Sequence, residues 1–133
     1  MTRSEATKIL AVLAAAYPSA TIKNATPGEA EGIVTVWAIQ FVNIPADIVF
    51  MAINKHISTG KFFPSISEIK NKLSDLHWDA YTAISSQKAK YMSAAALEEY
   101  KRIYEATKQY KTGIVESGLD DIMISNSKQF LIE

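Results

Sequence analysis

The sequence predicts an all-α protein. The expected architecture is a small bundle of about four helices in residues 1–77, an outlying or loosely packed helix over residues 78–112, and a flexible acidic-apolar tail over residues 113–133. Three observations lead there. Apolar residues make up 48% of the 133-residue chain, enough for a core. Helix formers recur throughout, while the five glycines and four prolines gather at boundaries. Thr2/Glu5, Thr26/Glu29 and Ser65/Glu68 each place a hydroxyl three residues before a glutamate, the signature of a capped helix start. The length fits one domain plus a tail better than two domains.

The first helix should run from about Arg3 to Tyr17. Ile9, Leu10, Leu13, Ala14 and Tyr17 share one face, and Pro18 ends it. A loop over residues 19–26 leads to a second helix, with Thr26 as cap, Pro27 at the first helical position and Glu29 as reciprocal acceptor. Ile33, Val36, Trp37, Gln40 and Phe41 form its face, and it ends near Asn43. The third helix starts at Pro45 and carries the apolar stripe Ile48, Val49, Ala52, Ile53, His56 and Ile57. Gly60 suits a left-handed residue just past its end.

Lys61–Pro64 reads as an extended connection, because Pro64 drives Phe63 out of helical geometry. Phe62 is expected to fold back under the fourth helix, leaving Phe63 exposed as part of a contact surface. The fourth helix, capped by Ser65, has the seam Ile66, Ile69, Leu73, Leu76, Ala80 and Ala83. A further helix is expected from about Ser86 to Tyr110. Tyr91, Leu97, Tyr100, Ile103 and Tyr104 give it only a thin stripe. Gly113 and Gly118 break the pattern, and the final segment shows no helical phase.

Several function classes fall away. The absence of cysteine excludes disulfides, zinc–thiolate sites and thiol nucleophiles. No apolar run approaches the roughly 18–20 residues of a membrane span. Glu5 and Lys8 interrupt the apolar start, which argues against a cleaved signal and leaves the cytoplasm as the default compartment. His56 and His77 lack partners at metal-ligand spacing, and each reads as a histidine bonded to a backbone carbonyl. The carboxylate pairs Glu29/Glu31, Glu98/Glu99 and Asp120/Asp121 are sequence neighbours on polar faces or in the tail. Acid–base work needs two carboxyls in different environments across a cleft. No glycine-rich phosphate loop and no strand–turn–helix serine is present. The sequence therefore reads as a non-enzyme without cofactor or metal, one that acts by touching another macromolecule.

The net charge of zero hides an asymmetry: +1 over residues 1–77, +2 over 78–112 and −3 over 113–133. A balanced body with an acidic tail suits phosphate binding poorly. The strongest nucleic-acid candidate is the junction of helices three and four, where Lys55, Lys61, Lys70 and Lys72 surround Phe62 and Phe63. Yet Glu68 and Asp75 share the fourth helix, no arginine lies between Arg3 and Arg102, and only Asn71 is placed for base readout. Direct DNA binding is thus the alternative, and Lys55, Lys61, Phe63 and Lys70 stand as a second candidate surface. A structural protein that only oligomerises is a further alternative. The main candidate surface combines Tyr100 and Tyr104 with the tail residues Ile122, Ile124, Phe130, Leu131 and Ile132, apolar groups too numerous for a purely solvated tail.

ILAVLAAAYP near the start, Trp37, and AINKHISTGKFFPSISEI over Ala52–Ile69 resemble the phage loader-and-inhibitor proteins of replicative DNA helicases, from phages of Gram-positive bacteria. The resemblance covers about residues 7–73, and its most specific part is the run from Lys55 to Ile69. That family commonly shows two prolines after the phenylalanine, whereas Phe63 stands in place of the first here. The resemblance implies a helical N-terminal domain and a mobile C-terminal segment that grips the partner. It implies a hexameric DnaB-type replicative helicase as partner, held inactive and handed to an origin-bound initiator in the host cytoplasm.

Overall fold

The computed structural model describes residues 1–111. Among them are five α-helices and no strand: α1 (Arg3–Ala16), α2 (Pro27–Gln40), α3 (Ala46–Thr59), α4 (Ile66–Ser85) and α5 (Ala94–Thr107). Short 3-10 turns occupy Thr21–Asn24, Gln87–Tyr91 and Lys108–Tyr110. The all-α expectation holds. The chain divides into two compact units, Met1–Lys72 and the part from Leu73 on, with α4 running through the boundary.

In the first unit the helix starts follow the capping pattern. The Thr2 side chain accepts from the Glu5 N–H at 3.2 Å, and the Glu5 carboxylate accepts from the Thr2 N–H at 2.8 Å. Ser65 and Glu68 make the same reciprocal pair at 3.1 and 3.0 Å. At α2 only half of the box forms. Thr26 accepts from the Glu29 N–H, but the Glu29 carboxylate takes the Thr26 hydroxyl instead of the cap N–H. Pro45, expected at the first helical position, is instead the N-terminal cap of α3, and the helix starts one residue later at Ala46.

α1 packs against α2 and α3. The core holds Leu13 of α1, Phe41 and Ile44 from the α2–α3 corner, Ile48, Val49 and Ile53 of α3, and Ile69 of α4. Each such side chain contributes about 1.5–3 kcal/mol by leaving water. The Met1 amino group donates to the carbonyls of Phe41 at 3.1 Å and Ile44 at 2.9 Å, which pins the start of α1 to the end of α2.

In the second unit α4 buries Leu73, Ser74, His77, Ala80 and Ile84. The expected seam is corrected here: Leu76 and Ala83 are only half-buried, and His77 and Ile84 take the inner positions. A polar histidine masked the true phase. Its Nδ1 lies 3.2 Å from both the Tyr104 carbonyl and the Thr107 hydroxyl, and its ring stacks on Tyr104 with centroids 4.7 Å apart. Thr107 in turn donates to the Ile103 carbonyl at 2.6 Å. Residues 78–110 are not one helix. α4 persists to Ser85, a 3-10 turn follows, and Ser93 caps α5 by accepting from the Ala96 N–H.

Candidate functional site

The corner between α3 and α4 is organised around His56 in the last turn of α3. Its Nε2 donates to the Phe62 carbonyl at 2.9 Å, the backbone-bonded role expected of it. The Gly60 N–H donates to the His56 carbonyl at 2.6 Å, and the Gly60 carbonyl accepts the Tyr17 hydroxyl at 2.9 Å. The Tyr17 ring lies 6.0 Å from His56 and meets Phe63 edge-on at 6.3 Å. Burial raises the pKa of the Tyr17 hydroxyl, and the nearby Glu68 charge adds to the shift. Tyr17 at the end of α1 and His56 of α3 thus hold the loop backbone.

Two expectations are corrected at this corner. Gly60 is extended, with φ −89° and ψ 137°, rather than left-handed. Glycine is needed for space: a Cβ there would lie 2.6 Å from His56 Nε2 and 2.9 Å from the His56 carbonyl oxygen. The two phenylalanines also exchange places. Phe62 is 80% exposed, while Phe63 is half-buried against Tyr17. In an extended segment neighbouring side chains point to opposite sides. With the Phe62 carbonyl held by His56 and Pro64 buried, Phe63 turns inward and Phe62 outward.

The four lysines of the second candidate surface differ in their surroundings. Lys70 donates to Gln40 of α2 at 2.7 Å, and Lys55 and Lys72 are half-buried. Glu68 sits among them, its carboxyl held below the usual range first by the Ser65 N–H and then by the Ser65 hydroxyl, His56 and Lys72. Lys61 is exposed beside Phe62, at the edge of a depression of about 260 Å³ shared with Tyr17, Ser19 and Phe63.

The tyrosines of the second unit separate as well. Tyr100 is 36% exposed and remains on the surface, but Tyr104 is 1% exposed, packed on His77. Tyr104 is therefore corrected from a contact residue to a packing residue. Tyr91 is exposed with the Lys90 ammonium 5.1 Å from its ring centre. Ile122, Ile124, Phe130, Leu131 and Ile132 lie outside the described residues.

Val36, expected on the packing face of α2, is instead 49% exposed, and the sequence did not single out two further exposed apolar residues, Ile39 at 63% and Val42 at 61%. The available signal was GIVTVWAIQFV, which is apolar around the whole helix and so leaves apolar groups outside any single buried face. Among the described residues no group of three or more His, Asp or Glu side chains is placed to hold a metal, and no helix is long and apolar enough to cross a membrane.

Compared with known proteins, residues 1–70 match the family model of the N-terminal domain of the phage SPP1 helicase loader/inhibitor. The match ends within two residues of the boundary of the first compact unit. No curated protein and no solved structure matches the chain.

Proposed function

The chain belongs to this family of phage helicase loaders and inhibitors, and on that premise we propose that it binds a hexameric DnaB-type replicative helicase, holds it inactive and delivers it to an origin-bound initiator. The family is one of non-catalytic adaptors. The match over residues 1–70, which spans the first unit, is the observation that carries this reading.

The two parts of the chain then divide the work. Residues 113–133, together with the exposed Tyr100, grip the helicase through Ile122, Ile124, Phe130, Leu131 and Ile132. The first unit sets orientation and meets the initiator, with the held loop of Lys61 and Phe62 as its contact. The mechanism is occlusion in the host cytoplasm: the adaptor covers a helicase surface and comes off when the initiator competes for it. Ordering the tail on binding costs about 2–5 kcal/mol, which keeps a large contact releasable.

Deleting residues 113–133 tests this division. The expected result is lost co-elution with the helicase and an almost unchanged melting temperature for the remainder. Undiminished binding by the truncated chain would reject the tail as the grip. A gel shift at low salt tests the DNA alternative, which predicts retardation that falls steeply with added salt. The pairing of Lys70 with Gln40 and the position of Glu68 lead us to expect none.

A further inference from the structure

We propose that the exposed apolar face of α2 is a self-association surface, occupied by the same face of a second copy of this chain in antiparallel pairing. Gly28, Gly32, Thr35 and Ile39 recur at spacings of four, three and four residues, so they line one face of the helix. Val36 flanks that face, and Val42 is exposed in the turn that follows. Its two ends are unlike. The N-terminal end is flat, and a Cβ on Gly28 or Gly32 would meet nothing within 4 Å. The C-terminal end projects the exposed Ile39.

A surface that is flat at one end and raised at the other can pair with itself when inverted. With a two-fold axis passing between Thr35 and Val36, Ile39 of each copy falls opposite Gly32 of the other. Such pairing of one patch with itself is the isologous contact of a symmetric dimer. The missing side chain at glycine lets the two backbones approach and leaves room for the branched side chain of the other copy.

Charge supports the same orientation. Glu29 and Gln40 are eleven residues apart, close to three full turns, and lie on one flank of α2. The Lys70 ammonium is held on Gln40 at 2.7 Å, so that flank is acidic at its start and basic at its end. In antiparallel pairing like flanks meet, and Lys70 of one copy faces Glu29 of the other. A parallel arrangement would instead bring like charges level with each other. One helix face per copy makes a small interface, so the dimer is weak and reversible.

Sedimentation velocity on the full chain, from micromolar to millimolar concentration and without helicase, reads this directly. The expected result is a monomer–dimer equilibrium weakened at least about tenfold by Gly32→Leu, which takes up the room left for Ile39 of the other copy, and by Ile39→Lys. Both positions are open to solvent, so thermal melting should show an intact fold in either variant. Glu29→Lys should weaken the dimer, and adding Lys70→Glu should restore it. A single monomeric species at all concentrations would overturn the proposal. So would a dimer indifferent to Gly32→Leu and Ile39→Lys. Helicase binding is not part of the readout, so this proposal and the loader reading fail separately.

Discussion

Gly60 shows how one residue can be legible in position and not in cause. Its place after a helical stripe marks a stop, and the chain does stop there. The reason is contact with His56, because the glycine Cα sits where a side chain would strike the ring and the carbonyl behind it. No local pattern encodes that, since the ring position depends on the Phe62 carbonyl six residues away. Gly60→Ala should therefore destabilise the first unit by about 1–3 kcal/mol, because the backbone oxygen at 2.9 Å cannot swing aside as a side chain can. Urea denaturation measures this, and an unchanged midpoint would count against the close contact. Tyr17→Phe should cost less, about 0.5–1.5 kcal/mol, through loss of the hydroxyl bond to Gly60. The exchange of Phe62 and Phe63 has a similar origin. The proline made the segment extended, but only the tie to His56 decided which ring faces out.

Among the elements, the caps were the easiest to read, because a hydroxyl and a carboxylate three residues apart act locally. They also carry a pH dependence. Backbone N–H groups at Thr2 and Ser65 hold the Glu5 and Glu68 carboxyls below the usual range. A lowered folded-state pKa contributes stability that is present at neutral pH and lost as pH falls through that lowered value. Replacing both residues with Gln should flatten the early part of the acid-induced loss of stability. Circular dichroism melts across the carboxylate range would show it, the effect being small because both groups are exposed. The inner face of α4 was harder to read, since His77 breaks an apolar phase that only its bonds to Tyr104 and Thr107 complete. On α2 the open space around Gly32 predicts that Gly32→Ala stabilises the helix by about 0.5–1 kcal/mol, read as a higher unfolding midpoint in dilute solution.

For the whole molecule, helix class and the first three helix boundaries were legible because capping, proline placement and apolar period agree there. The second unit was less so. Its polar core pair of His77 and Thr107 carries no periodic signal, and the break between α4 and α5 contains neither glycine nor proline. Family membership rests on residues 1–70, and the proposed grip on the helicase lies beyond them. Light scattering of the chain mixed with nucleotide-bound replicative helicase, with DNA unwinding followed in the same samples, tests the central claim most directly. A complex of fixed stoichiometry that suppresses unwinding is the predicted result. A helicase that remains uncomplexed and fully active beside excess protein would contradict it.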